Sequence, residues 1–433
     1  MKLKIKVSSI LLFIFGLAII FSVQFFYLGI GISAAYLAII SVIGLLVCIA
    51  FCNGTLKQMY KRLNFAFLIG IVVPVCYAII FLYTAIAFPE QGFNSTVLMS
   101  YQYVAVLLVY PLGCYLLMTD NVKKIFDIMN VVAGIWYFLV LAQKILYETS
   151  GYVILTGLVQ GSSLATRNSN LRISLMLFGN IMIIYNFYQL YSKHNKQKIL
   201  NLVLLVVGLY ELIVVQQTRA YSIVVFVALF MIVLLDKNTK KGFSRKLLMF
   251  GIIVLILLQT NAVSNMFESF SLSGEYSYST EARLYAWNYY WTYFLEHPIF
   301  GMGFVSDVEY YSVVHGSLGI AYHSDVGFVG QLSRWGIFII PVYVIPIARQ
   351  CFITFKMWKR KEEDFILYIA IMLYILGTSI TLIMLARNLI ILYPVSIILF
   401  EYKYYKLRTD NRMQTIDNTN CYEKNNFIEH NNE

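Results

Sequence analysis

Long apolar runs separated by short polar segments make up most of this chain. Many of these runs hold about 20 residues, which is enough for a helix to cross a hydrocarbon core roughly 30 Å thick. Within a membrane, only helices and closed barrels satisfy all of their backbone groups. The pattern therefore predicts an all-α membrane protein with about twelve transmembrane helices.

A long segment, residues 264–329, is too polar for the membrane core. We predict that it forms an extracytoplasmic loop containing an amphipathic helix. Transmembrane spans one to nine precede it in residues 1–263, and spans ten to twelve follow in residues 330–401. Residues 402–433 are then expected to form a cytoplasmic tail.

The apolar run 199–235 is too long for one span, because a helix rises only about 1.5 Å per residue. The polar cluster Gln216-Gln217-Thr218-Arg219 interrupts it. Two spans that turn at this cluster fit the run, and the turn sets Arg219 at the outer face.

Composition and charge narrow the class of protein. A hydrophobic share of 60% and a charged share of 13% exclude an ordinary soluble protein, in which about a quarter of the residues are charged. The net charge of +11 invites a nucleic-acid partner. However, all but seven of the 33 lysines and arginines fall in segments that the span count puts inside, which is the bias that orients membrane proteins. We therefore predict a multi-pass protein of the cytoplasmic (inner) membrane with both termini cytoplasmic, the lipid bilayer as a partner, and no nucleic acid.

The basic residues left on the predicted outer side are almost all arginines. A guanidinium is a planar, permanently charged fork that binds phosphate oxygens through two hydrogen bonds. Snorkelling, or pairing with Glu211, Glu281 or Asp325, is the alternative explanation. The residues on that side are Lys144, Arg167, Arg172, Arg219, Arg283, Arg334 and Arg387.

Within the outer loop, residues 280–295 have the pattern of an amphipathic helix. Ser279 or Thr280 is expected to cap its start, with Glu281 in the first turn. An apolar stripe recurs at three- and four-residue spacing, and it is expected to lie on the bilayer or against the spans. Arg283 would then neighbour an indole of the stripe. The stripe consists of Leu284, Trp287, Trp291 and Leu295.

Two short motifs follow this helix. His297-Pro298 is expected to end it, and Gly301 and Gly303 allow a tight turn or a close approach to a ligand. Further on, His323 precedes a predicted helix start, with Ser324 as N-cap and Asp325 in the first turn. A histidine at the mouth of a span near arginines suits a general base, although an ordinary capping histidine fits the pattern as well. No metal-binding or nucleotide-binding motif is present in the outer segments, so we expect neither a metal nor a cofactor.

The order of these motifs is similar to that of a known family. Arg219 in an outer turn comes first, followed by Glu281-Ala282-Arg283-x-x-x-Trp287 and His297-Pro298-Ile299-Phe300-Gly301-Met302-Gly303-Phe304, and then by His323-Ser324 and Leu332-x-x-x-Gly336. This order resembles the bacterial O-antigen polymerase and ligase (Wzy-type) family, over roughly residues 210–340.

The resemblance implies an enzyme that acts at the outer face of the membrane without metal or nucleotide. Its donor would be a polyprenyl-diphosphate-linked oligosaccharide and its acceptor a sugar hydroxyl. Arg219 and Arg283 would bind the diphosphate, and His323 would sit at the catalytic centre with Asp325 as an alternative base. A flippase and a chain-length regulator are the candidate protein partners. The residues expected to contact substrate are Arg167, Arg172, Glu281, Trp287, His297, Gly301 and Gly303.

Three alternatives stay open. Family members of the ligase type more often carry Asn after the histidine, and Ser324 here favours a polymerase over a ligase. A flippase or transporter of lipid-linked oligosaccharides would also suit twelve spans, but it needs no long outer loop. A membrane scaffold or sensor would not require the bias toward arginine.

Overall fold

A computed structural model describes residues 6–22, 30–154, 166–167, 170–171, 177–191, 197–216, 219–235, 251, 277–387 and 389–409. Most of the predicted ninth span, the loop that precedes it, residues 264–276 and residues 410–433 of the predicted tail lie outside these residues. Helices dominate the described residues, which confirms the predicted helical membrane class.

The first half of the chain is a series of helices and one small hairpin. Its helices are α1 (Val7–Ser22), α2 (Ile30–Phe51), α3 (Asn53–Arg62), α4 (Asn64–Ala87), α5 (Phe93–Ser100), α6 (Val109–Thr119), α7 (Val122–Ser150), α8 (Leu177–Tyr191) and α9 (Lys198–Tyr210). A 3₁₀ segment, Tyr101–Leu108, joins α5 to α6. Strands β1 (Thr166–Arg167) and β2 (Asn170–Leu171) pair antiparallel, with Arg167 opposite Asn170.

The second half carries the predicted outer segment and the last spans. Its helices are α10 (Arg219–Leu235), α11 (Ser277–Glu296), α12 (Tyr311–His315), α13 (Gly327–Trp335), α14 (Ile345–Arg360), α15 (Phe365–Thr378) and α16 (residues 392–409). A 3₁₀ turn, His323–Asp325, precedes α13, and short 3₁₀ and π segments lie between α13 and α14.

Four helical stretches among the described residues are long and apolar enough to cross a membrane. They are Asn64–Ala87, Phe93–Thr119, Val122–Ser150 and Lys198–Gln216. Two bent helix pairs would raise this number to six. One of them, Gly327–Phe338 with Ile340–Arg360, is bent by 116° at the place where the sequence predicts the tenth span. The count of about twelve spans stays a prediction.

The long apolar run 199–235 is helical on both sides of its polar cluster. Helix α9 passes into a π segment, Glu211–Gln216, and α10 runs from Arg219 to Leu235. Residues 217–218, where the sequence predicts the turn between two spans, lie outside the described residues, so the turn stays a prediction. The Gln216 side-chain amide donates to both carboxylate oxygens of buried Glu211, at 2.9 and 2.7 Å. These bonds satisfy polar groups that would otherwise be costly to bury.

Some contacts between distant segments agree with the predicted sides of the membrane. The side chain of Gln91 binds the backbone of Phe304 and Ser306, so two predicted outer loops meet. At the other end, Arg349 Nε donates to Glu401 at 2.6 Å and the Lys403 ammonium donates to Asp364 at 3.2 Å. Predicted outer segments thus meet one another, as do predicted inner segments. Which end faces the cytoplasm stays a prediction.

The predicted outer segment has a small core of its own. Eight buried apolar side chains from α11, α12, α13 and the loops between them pack together, separate from the main core of the helix bundle. They are Ala286, Tyr290, Met302, Val305, Val314, Ala321, Val326 and Val329. This outer core fixes α11 and α13 relative to each other, which decides the geometry of the site.

Candidate functional site

Helix α11 runs from Ser277 to Glu296 and ends directly before His297-Pro298, as predicted. Its start differs from the prediction, because neither Ser279 nor Thr280 is the cap. Glu281 is therefore the fifth residue of the helix and lies past the first turn. Only in the first turn would its negative charge interact favourably with the helix dipole.

The two faces of α11 have different surroundings. Ala286 and Tyr290 are buried in the outer core, whereas the apolar stripe predicted from the spacing is exposed. Its members Leu284, Trp287, Trp291 and Leu295 keep 44–60% of their surface. The stripe therefore does not pack against the described spans, which leaves the bilayer surface as its predicted partner.

We expect Trp287 and Trp291 to be quenched when the protein is reconstituted with phospholipids brominated near the headgroup. A Trp358→Phe background removes the exposed tryptophan of α14, and buried Trp136 and Trp335 serve as the shielded reference. Adding Trp287→Phe and Trp291→Phe should then abolish most of the quenching. Equal quenching with and without these two tryptophans would contradict a bilayer-bound α11.

The buried face of α11 holds the histidine of the site. The Tyr290 and His323 rings stack with centroids 5.2 Å apart and planes 6° from parallel. The Tyr290 hydroxyl donates to the Val314 carbonyl at 2.8 Å, so α12 fixes this tyrosine in turn. Because Tyr290 is 0% exposed and held at both ends, it supplies a rigid platform for His323.

The turn that carries His323 is anchored in a way that the sequence does not predict. Ser324 is not the N-cap of α13, because the helix begins at Gly327 and Val326 occupies the cap position without a side-chain bond. Instead, the Gly327 N–H donates to the Thr381 carbonyl and the Phe328 N–H to the Ser379 carbonyl, both at 3.0 Å. These distant carbonyls satisfy N–H groups that a cap would otherwise serve.

A glycine brings this turn onto α13. A Cβ at Gly330 would lie 2.4 Å from the His323 carbonyl oxygen and 2.9 Å from the His323 Cβ. Real Cβ atoms do not approach other atoms so closely, so only glycine fits between the helix and the turn. Gly330 thus sets the position of the His323 side chain relative to α13.

Gly301 and Gly303 are in close contact with protein rather than with an open cleft. Both have positive φ, 64° and 70°, which glycine tolerates best. A Cβ at Gly301 would meet the Ser333 carbonyl oxygen at 2.2 Å, and one at Gly303 would meet Thr84 at the same distance. Backbone bonds from Met302 to Ser333 and from Gly303 to Arg334 complete this junction. The motif therefore clamps the end of α13, and a contact of these glycines with substrate stays a prediction.

Three of the four predicted catalytic positions lie around Tyr221 of α10. Its phenol is within electrostatic range of both Asp325 and Arg283, and it hydrogen-bonds Thr381. Arg219 begins the same helix two residues earlier, although its side chain lies outside the described residues. Arg283 is exposed, and it lies seven residues before Tyr290, hence two turns earlier on the same face of α11.

His323, the fourth position, joins this group through the Tyr290 ring, which also lies in the field of Asp325. Its side chain is partly exposed, but its Nε2 atom is buried and has no hydrogen-bond partner among the described residues. Burial, together with the charges of Arg334 and His315, lowers the pKa of His323 well below its usual range. The imidazole is therefore neutral at physiological pH.

Arg334 belongs to this neighbourhood, and the sequence analysis did not single it out as a site residue. It is only 8% exposed, and its charge acts on both His323 and Tyr290. Its Nε atom has no hydrogen-bond partner in the described part of the chain. A sequence feature that could have identified Arg334 is its spacing of four residues from Gly330, which is about one helical turn. This spacing puts Arg334 on the face of α13 that contacts His323.

The other predicted site residues lie apart from this group or outside the described side chains. His297 is exposed beside Tyr293, with ring centroids 4.8 Å apart, and Glu281 is exposed on α11. Trp287 is exposed and makes no cation–π contact with Arg283, although both residues are described. For Arg167 the structure describes only the backbone of β1, and Arg172 lies outside the described residues.

In the described part of the chain, no group of three His, Cys, Asp or Glu side chains is placed to hold a metal ion. The metal-free reaction implied by the resemblance stays a prediction.

These features describe a helical membrane protein whose predicted outer segment carries arginines, a carboxylate and a neutral histidine. Residues 200–344, about a third of the chain, match the model of the family described as O-antigen ligase (Wzy_C). The match confirms the resemblance predicted from the motifs. It supports a membrane protein that processes glycans, in a family of glycosyltransferase-like enzymes. No curated protein matches the chain.

Proposed function

We propose that this protein is a polysaccharide polymerase of the cytoplasmic membrane. It transfers a lipid-diphosphate-linked glycan chain to a sugar hydroxyl of a lipid-linked repeat unit at the outer face. The observation that carries the proposal is the convergence of Arg283, Asp325 and His323 beside the start of α10, where Arg219 lies. O-antigen, capsule and exopolysaccharide chains are the product classes that fit this reaction.

The arginines supply the electrostatics of the transfer. When the anomeric carbon–oxygen bond to the diphosphate breaks, its electron pair moves to the leaving oxygen, and negative charge grows there. Preorganised guanidinium groups stabilise this charge without reorganising, which is commonly the largest contribution to catalysis. Arg283 is exposed, so its guanidinium can bind a phosphate without first breaking a buried ion pair.

The acceptor hydroxyl must lose its proton as its oxygen bonds to the anomeric carbon. Two groups of the same 3₁₀ turn are candidates for the proton acceptor, the imidazole of His323 and the carboxylate of Asp325. Asp325 is exposed, and His323 is neutral. General-base catalysis of this kind contributes about 10²- to 10⁴-fold to the rate.

A ligase is the second candidate, favoured by the description of the family whose model residues 200–344 match. A ligase would use the same donor and the same arginines but attach the finished chain to a different acceptor. Ser324, which follows the histidine where ligases more often have Asn, favours the polymerase.

Deleting the gene distinguishes these functions in the cell. A polymerase deletion leaves single lipid-linked repeat units and no long polymer, whereas a ligase deletion leaves polymer on the lipid carrier. Loss of every lipid-linked glycan from the outer face would instead identify a flippase and overturn the proposal.

Arg283→Lys is expected to abolish polymer while the protein still inserts in the membrane. A lysine keeps the charge but cannot bind a diphosphate through two parallel hydrogen bonds. The measurement is the chain-length distribution of the polymer in cells that express the variant at the wild-type level. Arg62→Lys is the matched control, because Arg62 is an exposed arginine at the predicted inner end of the bundle. A normal distribution in Arg283→Lys would exclude the proposed role of Arg283.

A further inference from the structure

The geometry of α13 directs Arg334 toward His323. Gly330 lies against the backbone and Cβ of His323, and this close approach is possible because glycine has no side chain. Arg334 lies four residues further along, on the same helical face and about one turn away. Side chains on a helix lean toward its N-terminus, so the guanidinium of Arg334 leans toward Gly330 and the histidine beside it.

Both residues bury an unpartnered polar atom. Arg334 Nε and His323 Nε2 are buried, and neither has a hydrogen-bond partner among the described residues. Arg334 also has no salt bridge to any described carboxylate, although arginine keeps its charge under all ordinary conditions. The Nδ1 atom of His323 is not among the buried unpartnered atoms, and the residue as a whole is half-buried.

A fixed cation beside one ring nitrogen has two effects on a histidine. It disfavours the doubly protonated imidazolium, and it disfavours a proton on the nearer nitrogen of the neutral ring. The charged and titratable groups that stack on His323 or act on its charge are Tyr290 from α11, His315 from α12 and Arg334 from α13. Asp325 lies in the same 3₁₀ turn as His323. Arg334 is the permanent cation of the group, because a guanidinium keeps its charge under all ordinary conditions.

We propose that Arg334 is a positioning residue that keeps the buried Nε2 of His323 unprotonated, so that the histidine presents an Nδ1–H donor to the substrate. This inference rests on the proposed function and deepens it, because it divides the roles of His323 and Asp325. His323 then acts as a neutral hydrogen-bond donor to the diphosphate oxygen, and Asp325 is the base.

The step balances without a metal or another reactant. The acceptor hydroxyl gives its proton to the Asp325 carboxylate as its oxygen bonds to the anomeric carbon. The anomeric carbon–oxygen bond to the diphosphate breaks, and its electron pair stays on the diphosphate. His323 Nδ1–H donates a hydrogen bond to that oxygen and keeps its proton, so the histidine is uncharged before and after the transfer.

Nitrogen-15 NMR of the histidines tests the inference directly, since the two neutral tautomers and the imidazolium have distinct ring-nitrogen shifts. The full-length protein in lipid nanodiscs has five histidines, and His323→Gln identifies the resonance of His323. We expect the Nδ1–H tautomer in the wild type, and a mixture of tautomers that titrates at higher pH in Arg334→Gln. Arg334→Lys keeps the charge, so it should keep the wild-type tautomer and titration.

The control variant is Arg387→Gln, because Arg387 lies at the same end of the bundle but donates to Gln102 and the Leu98 carbonyl instead. It should leave the His323 resonance unchanged. An Nε2–H tautomer in the wild type, or the same tautomer and titration in Arg334→Gln, would overturn the inference. A wild-type protein with the expected tautomer but no glycan transfer would overturn the proposed function alone.

Discussion

His323→Ala should lower glycan transfer by about 10²- to 10⁴-fold, because either role of the imidazole supports catalysis of this size. The measurement is single-turnover transfer from a polyprenyl-diphosphate-linked oligosaccharide by protein in nanodiscs. His323→Asn separates the two roles, since the asparagine amide supplies an N–H donor near the position of Nδ1 but is not a base. Partial recovery in His323→Asn relative to His323→Ala supports the donor role, and equal loss in both contradicts it.

The pH dependence of the wild type follows from the lowered pKa of His323. A histidine whose pKa lies below its usual value of about 6.5 stays neutral through that pH. Transfer that depends on neutral His323 is therefore constant across pH 6.5 and falls only at more acid pH. In Arg334→Gln, a cation that opposes protonation of His323 is gone, so the fall in transfer should move to higher pH.

Asp325→Asn tests whether Asp325 is the base. Transfer near the wild-type rate in this variant would return the role of the base to His323.

Local patterns in the sequence predict the body and the end of α11, because periodicity and proline act over a few residues. The helix ends directly before His297-Pro298, as the sequence predicts, although its start differs. The family resemblance likewise depends on short motifs within the chain, and the family model matches the segment that carries them. The roles that the resemblance implies for Arg283, Asp325 and His323 stay predictions.

Long-range contacts explain where the sequence analysis was wrong or silent. Ser324 has the chemistry of an N-cap, but carbonyls more than fifty residues away bind the first N–H groups of α13. Arg334 resembles any other arginine of the predicted outer side in the sequence, and only its burial and its electrostatic effect on His323 distinguish it. The two glycines of the motif are in close contact with protein, which is the backbone of Ser333 and Gly336 at Gly301 and the side chain of Thr84 at Gly303. The predicted close approach of a ligand to them stays a prediction. A local sequence pattern does not show which distant segment of the chain will pack against it.

Gly330→Ala should reduce transfer by at least about 10²-fold, although alanine is the better helix former. In an exposed helix the substitution would stabilise by about 1 kcal/mol. At position 330, however, the new Cβ would lie 2.4 Å from the His323 carbonyl oxygen and 2.8 Å from its Cα. Backbone on the other side of the contact must move, and a displacement of about 1 Å at a catalytic group can cost 10²-fold in rate.

Gly54→Ala is the matched control for this prediction. Gly54 also lies within a helix, α3, but nothing stands within 4 Å of the position of its Cβ. It should keep wild-type transfer and raise the thermal unfolding temperature slightly, since only helix propensity changes. Gly330→Ala is expected to fold, to bind donor through Arg283, and to fail in turnover. Wild-type turnover in Gly330→Ala would show that the position of His323 against α13 does not control the reaction, and would also weaken the case that Arg334 acts on this histidine.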